Sequence, residues 1–171
     1  MDGIVRRREL CETHGTRVET WFDVTRTTEA TSVSTSQVGA AFVTRFNNNP
    51  PQKICLRFYP VTPENQTVSQ SGRMVLWRSG VSLQRNFCGA SGNSNTTKKS
   101  FRCGDGTELA MECILTQTSG RTYSFVLTTN TGATNSGSYT WSVNKADYFA
   151  VRDTTMLGVG TRLVVTAEYD Y

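Results

Sequence analysis

The sequence predicts an all-β protein: one antiparallel β-sandwich with little helix. Three observations carry this expectation. The last eleven residues, Thr161 to Tyr171, alternate to the end. Leu163, Val165, Ala167, Tyr169 and Tyr171 lie on one side, and Arg162, Val164, Thr166, Glu168 and Asp170 on the other, the period-2 signature of a half-buried strand. Short segments of the same kind recur along the chain, separated by Thr, Ser, Asn and Gly, and Ser plus Thr make up roughly a quarter of all residues, far above ordinary usage. Finally, 171 residues suit one domain large enough to bury a two-layer core without covalent staples.

The elements follow in chain order. Residues 1–17 are expected to be a short basic arm, and residues 18–171 the sandwich. Val18 to Thr25 is the first strand. Thr27 to Gln37 is rich in Thr and Ser, poor in large side chains, and is expected to be a loop or a loose edge. Ala40 to Phe46 is a second strand, stopped by Asn47-Asn48-Asn49-Pro50-Pro51 because prolines cannot donate to a ladder and asparagines favour turns. Lys53 to Tyr59 alternates, with Ile54, Leu56 and Phe58 on one face and Pro60 and Pro63 as stops. Gly72 to Arg78 is another strand, and Val81 to Leu83 starts a further one.

Cys88 to Ser100 makes the longest polar loop, whose ordering would cost much backbone entropy. Gly104-Asp105-Gly106 is predicted to be a hairpin tip between Ser100–Cys103 and Glu108–Thr116. Residues 108–115 fit either a strand or a two-turn helix, since they are good helix formers. Thr122–Thr129 and Ser138–Val143 flank a turn-rich loop, Asn130 to Gly137. Tyr148 to Arg152 and the C-terminal strand complete the set. Roughly eight to ten short strands at this spacing point to a sandwich or barrel, with jelly roll and Greek key as the leading windings.

Charge and chemistry narrow the function. The formal charge is +4, too small to name a partner by itself. Its distribution says more: Arg6, Arg7 and Arg8 form one run, and Lys98, Lys99 and Arg102 a second group, either solvated or in contact with nucleic acid. No stretch is apolar enough for a membrane-spanning helix. Met1 to Val5 followed by arginines lacks the core of a signal peptide, so synthesis and retention in the cytoplasm are expected. Five cysteines without a CxxC spacing suggest reduced, mostly buried thiols, with Cys103–Cys113 and Cys88–Cys103 bridges left open.

His14 is the one histidine, so a Ser/His/Asp triad has a single conceivable centre. Cys11 and His14 would supply half a zinc site, but nothing nearby completes it. Asp147 and Asp153 flank a strand and are candidate inter-subunit ligands for Ca²⁺, a hard ion that takes oxygen donors; the ordinary alternative is edge aspartates that keep strands soluble. Gly158-Val159-Gly160 lacks the Lys/Ser of a phosphate loop. Trp21, Trp77 and Trp141 with the six tyrosines could make a stacking platform for bases or sugars, but each lies inside a strand pattern, where core packing is the ordinary explanation. No catalytic group, cofactor or metal beyond that Ca²⁺ is expected.

Arg6-Arg7-Arg8 ahead of the first strand, the strand rhythm, and the terminal Gly160–Tyr171 (GTRLVVTAEYDY) together resemble the jelly-roll coat (capsid) domain of small icosahedral RNA viruses of the tombusvirus-like and satellite-virus kind. The resemblance covers most of the chain as a pattern. It implies a structural subunit that self-assembles into a shell and is found in the virion after synthesis in the host cytoplasm. It further implies that Arg6, Arg7 and Arg8, with Lys98, Lys99 and Arg102 behind them, contact viral RNA without sequence preference. The arm departs from that pattern in being shorter and less basic, enough for only a few phosphates. The alternative is a β-sandwich binding module, lectin-like or receptor-binding, that recognises a ligand through Cys88–Ser100 and Asn130–Gly137, with Tyr139 or Trp141 stacking on it.

Overall fold

The computed structural model describes residues 17–25, 49–78, 82–89, 97–140, 147–152 and 160–171. They form ten strands: β1 (Arg17–Thr25), β2 (Lys53–Val61), β3 (Val68–Arg78), β4 (Ser82–Asn86), β5 (Lys99–Cys103), β6 (Met111–Ser119), β7 (Thr122–Thr129), β8 (Thr134–Thr140), β9 (Asp147–Arg152) and β10 (Arg162–Asp170). A single 3-10 turn, Pro63–Asn65, is the helical element among the described residues. The all-β antiparallel sandwich expected from the alternation is the architecture of the protein.

Six strands form one sheet in the order β1-β10-β2-β6-β7-β8. The second sheet centres on β3, whose first half pairs with β5 and whose second half lies between β4 and β9. All these ladders are antiparallel. The pairing is nested: β1 takes β10, β2 takes β6, and β3 takes β4. The two arms then interleave, with β10 beside β2 and β9 beside β3. That is the winding of a jelly roll, with β7 and β8 extending the larger sheet past β6. The strand predicted over Ala40–Phe46 falls outside the described residues.

The core lies between the sheets and follows the period of 2. Ile54, Leu56 and Phe58 of β2, Met111, Cys113 and Leu115 of β6, and Leu163, Val165, Ala167 and Tyr169 of β10 are all buried. Aromatic edges join the layers. Phe87, just after β4, stands edge-on to Phe125 of β7 at 4.9 Å and tilted against Phe149 of β9 at 5.6 Å. Phe58 meets Phe101 of β5 edge-on at 5.8 Å. Such pairs add to the gain from burial alone.

The structure settles one open alternative and corrects three expectations. Residues 108–115, which fit strand or helix, contain no helix: β6 begins at Met111, and its helix-favouring side chains are overridden by partners on both sides, β2 and β7. Gly104–Gly106 is no hairpin tip, because β5 and β6 belong to different sheets. It is a crossover, tied to the end of β2 by the Thr62 N–H donating to the Gly104 carbonyl at 2.7 Å. Pro60 does not stop β2 but lies inside it, buried opposite Leu163. Residues 134–137 are strand, not loop. The turn is Asn130–Gly132, closed by the Gly132 N–H to the Thr129 carbonyl at 3.1 Å, with Gly132 at φ 88°, the left-handed position such a three-residue loop gives to glycine.

Candidate functional site

The group Lys98, Lys99 and Arg102 sits on β5. Phe101 and Cys103 are buried in the core, so alternation turns Ser100 and Arg102 outward, and both are exposed. Lys98, just before the strand, is exposed as well, while Lys99 is half-buried. Arg102 donates through Nη2 to Glu108 Oε1 at 2.8 Å, an exposed pair in which the two side chains keep 50% and 39% of their surface. Such a pair holds an orientation more than it stabilises. Among the described residues neither Lys98 nor Lys99 forms an ion pair, so these two carry the uncompensated charge of the patch.

The patch is held by the neighbouring turn. Asn130 accepts the Arg102 N–H through Oδ1 at 2.7 Å and donates through Nδ2 to the Arg102 carbonyl at 2.8 Å. One side-chain amide thus satisfies both backbone groups of Arg102, as a paired strand would. Thr131 donates to the Ser100 carbonyl at 2.8 Å, which closes the seam between the β7–β8 turn and β5. Basic side chains on a fixed strand edge can pair with phosphates, a contact that positions a nucleic acid without reading its bases.

The remaining predicted residues are distributed as follows. Arg6, Arg7, Arg8, Cys11 and His14 lie outside the described residues. Asp147 opens β9, with its Cα opposite that of Arg78, and Asp153 lies outside the described residues. Among the described residues no three His, Cys, Asp or Glu side chains converge as metal ligands. Tyr139 is half-buried against the core, and Trp141 is outside the described residues. Cys88, Cys103 and Cys113 are buried thiols, whereas Cys55 is disulfide-bonded, its partner lying outside the described residues.

Among the buried charged residues that the sequence does not reveal, two features have defined neighbours. Arg57 donates through Nε to Glu112 Oε2 at 3.0 Å and through Nη1 to Glu168 Oε2 at 2.8 Å. Arg57, Glu112 and Glu168 keep 4%, 6% and 2% of their surface, so the network is closed to any bulky substrate and its role is structural. Burial pushes the Glu112 carboxyl up, against the opposing pull of Arg57. The second feature is Arg85, buried in β4 with its guanidinium 4.7 Å from the centre of the Phe125 ring. Among the described residues its Nε has no hydrogen-bond partner, and burial lowers its pKa. Gly137 of β8 leaves the room the guanidinium needs: a Cβ there would overlap Arg85 Nη2 and press on the Phe125 ring.

No family model matches the chain, and no curated protein matches it. Among solved structures it is similar to a protein of unknown function from Shewanella oneidensis MR-1, with 10% identity over 92% of this chain and 76% of that one, at a TM-score of 0.33.

Proposed function

We propose that this chain is a structural coat subunit that self-assembles into an icosahedral shell and holds viral genomic RNA on its inner surface. The observation that carries this reading is the jelly-roll winding together with Arg6-Arg7-Arg8, which precede its first strand in the sequence. Because one fold hosts many functions, the arginines matter as much as the sheets. They would release counterions from phosphates without reading sequence, with an affinity that falls as salt rises. Lys98 and Lys99 are secondary contacts, and Arg102 a weaker one because Glu108 already pairs with it. The reading assigns the chain no catalytic step.

Deletion of residues 1–9 tests it. The shortened chain should keep its fold and its particles while packaging less RNA. Unchanged RNA content would overturn the role of the three arginines.

A further inference from the structure

β8 ends the larger sheet, and among the described residues it pairs only with β7, Phe125 facing Gly137 and Leu127 facing Asn135. The Thr129 N–H donates to the Ala133 carbonyl at 2.9 Å, which fixes the parity of the ladder. Bonded and non-bonded pairs alternate between antiparallel strands, so Asn135, Gly137 and Tyr139 bond to β7. Thr134, Ser136, Ser138 and Thr140 turn their N–H and C=O groups to the open edge, and all four residues are exposed. Such an edge is a template for another strand, and proteins ordinarily blunt it with Lys, Pro or a bulge. β8 has no charge and no proline, and its register runs unbroken.

Its sequence indicates the occupant. Thr134-Asn135-Ser136-Gly137-Ser138-Tyr139-Thr140 reads Thr-x-Ser-Gly-Ser-x-Thr in both directions. A two-fold axis through Gly137 would therefore set each hydroxyl residue opposite its own kind: Thr134 against Thr140 of the partner subunit, and Ser136 against Ser138 of the partner subunit. All of these are outward-facing positions, so each pair would exchange both of its backbone bonds. A charged peptide would find no countercharge on β8, whereas an identical strand meets no like-charge repulsion.

We propose that β8 is a homotypic docking edge, at which two copies of this chain pair antiparallel about Gly137 and join their larger sheets into one. This goes beyond the coat reading, because the contact needs neither a shell nor RNA. So short an interface predicts a concentration-dependent equilibrium rather than a permanent dimer.

The test is sedimentation velocity on the full-length chain and two double variants, with circular dichroism to confirm that each is folded. Ser136→Lys with Ser138→Lys sets lysine against lysine at both pairs, and association should fall at least about tenfold, since like charges directly opposite oppose pairing. Ser136→Lys with Ser138→Glu sets lysine against glutamate at both pairs and should restore association. Equal behaviour of the wild type and the double-lysine variant, including both remaining monomeric, overturns the proposal. So does a Lys/Glu variant as weak as the double-lysine one. Dimers that follow the charge pattern in the absence of particles would sink the coat reading and leave this contact standing.

Discussion

Arg57 of β2 and Glu168 of β10 meet at 2.8 Å on the face of the larger sheet opposite the core, and the same guanidinium reaches Glu112 of β6 at 3.0 Å. One cation thus ties three adjacent strands, the central strand of the set and both of its neighbours. Arg57 stands directly opposite Glu112 in the ladder and diagonal to Glu168, the two placements from which cross-strand side chains touch.

Removing the cation alone should be costly. Arg57→Ala leaves two carboxylates buried side by side, and the loss of one partner from such a network costs about 3–5 kcal/mol. Replacing all three residues by apolar ones of similar volume should cost far less, because no charge is then stranded. Urea denaturation of both variants checks this. A single variant less harmed than the triple one would contradict it.

The pH dependence of Glu112 has a definite sign. Burial raises its folded-state pKa above the ordinary 4.5, so its contribution to stability is present below that value and is lost as pH rises through the folded pKa. Glu112→Gln lacks this titration. The stability of the variant relative to wild type should therefore improve from acid to neutral pH. Unfolding curves at both ends test it, and a relative stability that worsens towards neutrality would contradict the assignment.

The thiols should be inert in the native state. Burial pushes Cys88 and Cys103 up to about 11, and Cys113 well above its ordinary value, while the thiolate is the reactive form. A disulfide-exchange reagent at mildly alkaline pH should label these three only after denaturant is added. Because the folded pKa values are raised, the stabilising contribution of Cys88 and Cys103 is present below 9.0 and is lost between 9.0 and about 11. Rapid labelling of Cys113 in the folded protein would contradict this burial.

The C-terminal strand is interior, paired with β1 on one side and β2 on the other. Truncation of Thr166–Tyr171 removes Ala167 and Tyr169 from the core and strips both neighbours of partners. The truncated chain should fail to accumulate as soluble protein. Recovery of a folded product with wild-type circular dichroism would show that the larger sheet does not depend on this strand.

How much of this was legible depended on whether the signal was local. β7 was predicted with its observed ends, Thr122 and Thr129, because Tyr123, Phe125 and Leu127 alternate cleanly with exposed residues. β8 was hidden for the converse reason: Thr134–Ser138 has no large apolar side chain, and Gly137 takes the inward position that a branched residue would have marked. β6 was ambiguous because its residues favour a helix in isolation, and only its two partners settle it. The Lys98, Lys99 and Arg102 group was visible as near neighbours in sequence. Arg57, Glu112 and Glu168 come from three separate strands, and their meeting depends on a register that no local pattern encodes.

The coat assignment is tested most directly by size-exclusion chromatography of the expressed full-length chain, with the nucleic-acid and protein absorbances read together and the leading peak imaged by negative-stain electron microscopy. The account predicts uniform spherical particles that carry excess nucleic-acid absorbance. A nucleic-acid-free monomer or small oligomer, with no particles at any concentration, would contradict it.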